Sequence, residues 1–312
     1  MNRALTPARP TDPSSDESLP PEGRAALRAG VVGNWVDNIH VFLPLTALAP
    51  AMVVLAGPAA AASTGALIVV AMLFGRPVGG IVFGRIADRL GRTRTTRIAI
   101  AGTAACALLI AAMPTHQILG TGTIALILVL RFLGGIFVAG EYSAAIPLAM
   151  EWSRPRRRGL MSGLILSMAP WAQASIAFSV AMLLMLLGPG AYAEWGWRLL
   201  FVLGALASIG MLIYYSRQVA DAPVFHRRAR TASTRPRAGL RDLLTGRWAS
   251  AFWQVFVLMS GLWLLTNTTV LLLTSRLATD TGLPATGVSL AIGIASIAQA
   301  VVMAGAGHLS TR

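Results

Sequence analysis

The sequence predicts an all-α membrane protein, a bundle of about eight long helices, on three observations. First, 55% of the 312 residues are hydrophobic and only 12% are charged, with a mean hydropathy of +0.66. A water-soluble domain of this size cannot bury so much apolar surface, so a soluble enzyme is excluded. Second, aromatic residues make up 7%, leaving Leu, Ala, Val, Ile, Met and Gly to supply the hydrophobicity, which suits helices packed in lipid. Third, the apolar residues fall in runs of bilayer-spanning length, roughly 20 residues, separated by short clusters of arginine.

Along the chain, residues 1–28 carry Pro7, Pro10, Pro13, Pro20 and Pro21 among Ser, Asp, Glu and Arg. That mixture is too polar to build a core and reads as a disordered tail. It is not a signal peptide, because the first apolar run starts only near Ala29, outlasts an h-region and contains Asp37. Spans are expected over 29–55, 63–84, 97–113 and 121–150, then 159–187, 197–215, 249–274 and 284–306. With the amino terminus in the cytoplasm, four arginines fall in the tail, five in 85–97, four in 154–158 and eight in 217–247. The opposite loops hold almost none, which is the positive-inside signal.

The basic stretch 218–248, with Pro223, Pro236 and Gly239, divides a six-helix half (29–217) from the start of a second half (249–312) and reads as a cytoplasmic linker. A short internal echo supports two halves: Gly84-Arg-Ile-Ala-Asp88-Arg89 recurs as Gly307-His-Leu-Ser-Thr311-Arg312.

The formal net charge of +14 does not point to nucleic acid, because all 26 basic residues are arginines placed between apolar runs, not along one face. Cys106, the single cysteine, sits inside an apolar run and reads as a small hydrophobe. His40, His116, His226 and His308 lie far apart without metal-ligand spacing, so neither a metal nor a cofactor is expected. No Ser-His, paired-Asp or His-Glu constellation appears in the spans, and no reaction is assigned.

The informative residues are the charges inside the spans: Asp37, Arg76, Arg131 and Glu141. Unpaired charges are costly in a bilayer and face a bundle interior or a polar cavity. At about 1.5 Å per helical residue, Asp37, Arg76 and Glu141 reach similar mid-membrane depths, with Arg131 nearer the outer face. Asn34, Asp37 and His40 recur at i, i+3 and i+6 as a polar stripe on an apolar helix, the pattern of a cavity-lining face. A buried carboxylate can take up and release a proton while Arg stays charged, which suits proton-coupled transport. Arg76 and Glu141 neutralising each other as a packing pair is the other reading. Arg131 or Arg76 offers a bidentate fork for an anionic substrate, or else locks helices.

Gly75 with Gly79, and Gly80 with Gly84, are small-xxx-small pairs that permit close helix packing. Asn267, Thr268 and Thr269, and Trp171 and Gln173 after Pro170, interrupt later spans, where they would meet a substrate or bond between helices.

At Gly84-Arg-Ile-Ala-Asp88-Arg89-Leu-Gly91-Arg92 the loop resembles the signature between the second and third helices of the major facilitator superfamily. Gly75-Arg76-Pro77-Val-Gly79, Met113-Pro114-Thr115, Arg131-Phe-Leu-Gly-Gly135 and Ala139-Gly140-Glu141-Tyr142 resemble, in order, its metabolite:proton symporter branch, which includes alpha-ketoglutarate, shikimate, citrate and proline/betaine permeases. Glu151, Pro155, Arg158-Gly159, Trp195-Gly196-Trp197-Arg198 and Asp221-Ala-Pro223-Val-Phe225 continue the pattern.

The resemblance implies a multi-pass protein of the inner (plasma) membrane whose partners are protons and a small organic acid or zwitterion. Asn34, Asp37, His40, Arg76, Arg131 and Glu141 would then line the pathway, with Arg131 matching a fourth-helix Arg linked to proton coupling. Gly84, Asp88, Arg89, Gly91 and Arg92 would form the cytoplasmic gate, with Asp88 pairing with an Arg or accepting at a helix amino terminus. Two departures stand out: Asn34 replaces an acid of the branch, and Thr311 replaces the Asp of the second signature. Since the family uses twelve helices in two halves, the expectation is a carrier truncated after about eight helices. A non-transporting membrane protein or interaction module, and an exporter of the same fold, are the alternatives.

Overall fold

A computed structural model describes residues 20–57, 61–154, 157–219, 244–246, 248–279 and 282–310. Its long helices are α1 (Pro21–Ala47), α2 (Ala61–Leu90), α3 (Arg92–Ala111), α4 (Gly122–Trp152), α5 (Arg158–Ala191), α6 (Trp197–Gln218), α7 (Ala249–Thr279) and α8 (Ala285–Leu309). A 3-10 turn (Ala49–Ala51), a short helix (Met52–Ala56) and another (His116–Leu119) sit in the loops. Six helical stretches are long and apolar enough to cross a membrane, one of them the 61-residue α5–α6 stretch Arg158–Gln218. The architecture is the expected helical bundle of six helices followed by two more.

The first boundary is corrected. A disordered tail was expected through residue 28, but α1 begins at Pro21. Proline is preset for the first helical turn and Glu22 complements the helix dipole there, so a stretch too polar for a core still starts a helix. Gly23 and Ala26 of this turn are buried, and a side chain on Gly23 would meet the Trp152 indole. Residues 1–19 of the tail, 220–243 of the linker, and Thr311 and Arg312 of the second signature lie outside the described residues.

Two glycines set the connections. Gly91, at φ +87°, ends α2 and starts α3 in a left-handed conformation that side chains disfavour. Gly188, at φ +77°, kinks the end of α5 before the π-turn Tyr192–Gly196 leads into α6.

Close packing follows the small residues. A Cβ on Gly75 would strike the Phe132 carbonyl, one on Gly79 the Ile136 backbone, and one on Gly135 the Met72 carbonyl, so α2 and α4 touch backbone to backbone. Gly80 and Gly84, the other small pair, have open space beside them. Phe83 of α2 and Phe137 of α4 meet edge to face at 5.9 Å. The same device joins α5 to α8, where the backbones at Gly163 and Gly307 are in contact.

Two apolar cores hold the first six helices. One gathers Leu43, Leu55, Ile127, Ile176, Tyr192, Trp197 and Phe201 near one end. The other gathers Ala26, Ile100, Leu148, Met211 and Tyr215 near the opposite end. The polar groups lie between them. Along α7, by contrast, Val257, Leu264 and Leu265 are two-thirds or more exposed.

Candidate functional site

The residues between the two cores are polar yet enclosed: Asn34, Asp37, His40, Arg131 and Glu141 are each no more than 5% exposed, and Arg76 is half-buried. They come from α1, α2 and α4, whose mutual packing sets their positions. The structure sorts them into three groups.

The first centres on Asp37. Arg76 of α2 and Asp37 of α1 are electrostatic partners, and the Arg76 guanidinium lies over the Tyr142 ring at 5.9 Å from its centroid. Asn38 donates to the Tyr142 hydroxyl at 2.8 Å and to the Asn34 carbonyl at 2.7 Å. Asn34 in turn donates to the Ile165 carbonyl of α5. A carboxylate, a guanidinium, a phenol and two amides thus converge from α1, α2 and α4, and α5 adds the Ile165 backbone carbonyl that anchors Asn34.

The second group centres on Arg131. Its guanidinium donates to the His40 carbonyl at 3.1 Å and to the Met72 sulfur at 2.7 Å, while the buried Nε makes no hydrogen bond. The His40 ring turns toward α6, where Nε2 pairs with Ser208 Oγ at 2.7 Å. A small cavity of about 10 Å³, lined by His40, Thr103, Cys106 and Arg131 among others, adjoins the guanidinium.

The third is Glu141, which accepts from Thr103 Oγ1 of α3 at 2.9 Å.

The expected polar stripe on α1 is therefore real in burial but does not act as one face. Three-residue steps fall short of the 3.6-residue turn, so the stripe winds around the helix. Asn34 meets α5, Asp37 meets α2 and His40 meets α6. Glu141 sits against α3, away from the face on which Tyr142 meets Arg76. Asn38, Tyr142, Thr103, Met72 and Ser208 were missed by sequence reasoning. Asn38 carried a signal, being an amide beside Asp37 in an apolar run, and Tyr142 stood in a quoted motif without a role; neutral Thr, Ser and Met in such runs carry none.

At the α2–α3 turn the expected gate residues are placed as follows. Asp88 and Arg89 are exposed, and Asp88 pairs with no side chain among the described residues. Gly84 lies beside open space. Arg92 turns inward, pairing with Glu151 of α4 at 3.1 Å and donating to the Ser143 carbonyl at 3.4 Å. Arg97 donates to the Tyr215 and Ser216 carbonyls at the end of α6, where a cation complements the helix dipole.

Of the residues expected at midspan in later helices, Gln173 is buried, Trp171 is 39% exposed and Thr268 and Thr269 are exposed. The side chain of Asn267 lies outside the described residues. Arg198, in the motif before α6, donates to the Met113 and Glu194 carbonyls and covers the Trp197 ring at 4.5 Å, which tethers the loop after α3 to the start of α6. Among the described residues, no group of His, Cys, Asp and Glu is arranged to hold a metal ion.

Comparison with known proteins agrees with this layout. A putative proline/betaine transporter of Staphylococcus haemolyticus is 35% identical over 164 residues, 52% of this chain and 34% of that protein. The proline/betaine transporter of Escherichia coli is 28% identical over 203 residues, 64% and 40% of the two chains. The alpha-ketoglutarate permease of Escherichia coli is 31% identical over 146 residues, 47% and 34%. These matches span a third to two-fifths of the relatives' length. A crystal structure of a D-xylose–proton symporter superposes with a TM-score of 0.65 at 15% identity, over 90% of this chain and 67% of that one, a likeness of fold. The Major Facilitator Superfamily model matches residues 38–312. With its apolar helices and enclosed charges, the chain is a multi-pass membrane protein that belongs to the Major Facilitator Superfamily.

Proposed function

We propose that this chain carries the coupling half of a secondary transporter that moves a small organic acid or zwitterion together with protons by alternating access. The observation that carries the reading is that buried Asp37 on α1 and half-buried Arg76 on α2 lie within electrostatic reach of each other, with the Tyr142 ring under the guanidinium and Asn38 bonded to the Tyr142 hydroxyl. When Asp37 is ionised it holds the guanidinium. When Asp37 takes a proton, Arg76 is released to bind a substrate carboxylate through two parallel N–H bonds. Proton and carboxylate are thereby bound together, which is the requirement for symport. The relatives' names, proline/betaine transporter and alpha-ketoglutarate permease, fit a ligand with at least one carboxylate.

Arg131 and Glu141 extend the pathway, and His40 positions Arg131 by accepting its N–H through the backbone carbonyl. Gly84, Asp88, Arg89, Gly91 and Arg92 form the gate, with the exposed Asp88 free to engage a helix that packs across this end. Exposed arginines at the helix ends, among them Arg85, Arg89, Arg94, Arg157, Arg158 and Arg217, support a reading in which this end and the amino terminus face the cytoplasm.

The test is uptake into proteoliposomes holding the 312-residue chain, with labelled proline, trimethylglycine and dicarboxylates, with and without an inward proton gradient. Gradient-driven uptake that Asp37→Asn and Asp88→Asn abolish supports the reading. Folded chain that takes up none of these compounds overturns it.

A further inference from the structure

Beside the Asp37 group lies a second feature that the charges do not explain. Val32 and Trp35 of α1 and Met168 and Trp171 of α5 line an open cleft of about 290 Å³. None of the four is charged, and both indoles are partly exposed. The cleft is built, not incidental. Trp35 Nε1 donates to Ser175 Oγ at 3.3 Å, and Ser175 donates to the Trp171 carbonyl at 2.8 Å, so one serine fixes one indole against the turn of α5 that carries the other. On α5 the cleft adjoins the face that seats α8, where Gly163 and Phe178 meet Gly307 and Gly293.

The chemistry of the lining selects an occupant. Two indoles and a thioether present polarisable π and sulfur surface with no charged group and no acceptor beyond the weak thioether sulfur, so a well-hydrated primary ammonium gains little there and a second carboxylate finds no cation. An alkylated ammonium, weakly hydrated and positively charged, is attracted to indole faces. One helical turn along α1 from Trp35, Asn38 reaches Tyr142, over whose ring Arg76 lies. Aromatic surface toward α5 and a guanidinium over the α4 phenol therefore border neighbouring turns of α1, an order that matches a zwitterion whose cationic end is methylated and whose other end is a carboxylate.

We infer that Trp35, Trp171 and Met168 form the subsite that selects the substrate's alkylated ammonium end, while Arg76 receives its carboxylate. This rests on the transport reading for the role of Arg76, and deepens it by naming the substrate class and the residues that choose it.

The test is direct binding to the reconstituted 312-residue chain, comparing trimethylglycine with 3,3-dimethylbutanoate, its isostere with carbon in place of the charged nitrogen, and with 2-oxoglutarate. Trimethylglycine should bind roughly ten-fold tighter than its isostere, the scale of a partly desolvated cation–π contact. Trp35→Leu and Trp171→Leu should each bring the two ligands close to parity, and Trp171→Phe, which keeps a π face, should retain most of the preference. Equal binding by the unaltered chain, tighter binding of 2-oxoglutarate, no binding of any ligand, or a preference that survives both leucine variants would overturn the inference; the last would make the cleft a seat for a lipid chain. Selective binding without gradient-driven uptake would overturn symport and leave the subsite standing. Uptake that is blind to the ammonium would do the reverse.

Discussion

Asp37 and Asp88 belong to the same half of the molecule, and the difference between their surroundings separates two kinds of region. Asp37 is 5% exposed and within electrostatic reach of the Arg76 guanidinium, amid polar side chains from α1, α2 and α4. Asp88, at the α2–α3 turn, stands in the open. In the middle of the bundle every charge needs a neighbour within the protein, because the bilayer offers none, so residues there are fixed by packing as much as by chemistry. At the turn, water serves any group that lacks a partner, and a contact can open and close cheaply. On the proposed transport reading, the enclosed region would bind and the open one would gate.

The contrast breaks most readily where α2 meets α4. Gly135→Val would drive a side chain into the Met72 backbone, which cannot give way as a flexible side chain would, and should cost about 3 kcal/mol or more. Gly80→Ala, on the open side of α2, should stay within about 0.5 kcal/mol of the parent. Thermal unfolding of the two variants in detergent checks this, and equal melting temperatures would mean the two backbones do not touch.

Much of this division can be read in the sequence, and the exceptions have physical causes. Eight apolar runs and their arginine-rich borders fix the number and order of the helices, because a bilayer permits so few alternatives. Asp37, Arg76, Arg131 and Glu141 announce themselves by their cost. What spacing does not convey is azimuth: His40, Asp37 and Asn34 share a stripe on paper, yet a helix rotates each successive member toward a different neighbour. Nor does it convey the neutral partners. Thr103, Ser208 and Tyr142 stand in apolar runs at no penalty, and only the fold shows them beside Glu141, His40 and Arg76. The start of α1 at Pro21 was masked by tail-like composition, although Pro followed by Glu is itself a helix-start signal.

A second expected effect separates function from stability within the enclosed region. Arg131 is buried with an Nε that bonds to nothing, so desolvation opposes what its other bonds contribute. Arg131→Met, which keeps a flexible apolar body, should leave unfolding within about 1 kcal/mol of the parent while gradient-driven uptake falls at least roughly ten-fold. A collapse in melting temperature with uptake per folded molecule unchanged would assign Arg131 to helix locking instead. Smaller again is Ser208→Ala, which removes the 2.7 Å partner of the His40 ring and should cost about 1 kcal/mol in the same unfolding assay.

The smallest effect belongs to the turn. Arg92 and Glu151 pair at 3.1 Å with side chains 23% and 19% exposed, so each keeps part of its hydration and the pair gains little over two separate ions. A double-mutant cycle with Arg92→Gln and Glu151→Gln should give a coupling of about 0.2–1 kcal/mol, shrinking as salt is raised because the pair lies within reach of screening ions. The sign of its effect on transport is the sharper reading. A contact that steadies one end of the bundle in one conformation slows the step that leaves it, so loosening a weak pair should change uptake rate more than it changes stability. A coupling of several kcal/mol that salt does not touch would instead place Arg92 and Glu151 with the enclosed charges, and the boundary between the two regions would move inward from the turn to α4.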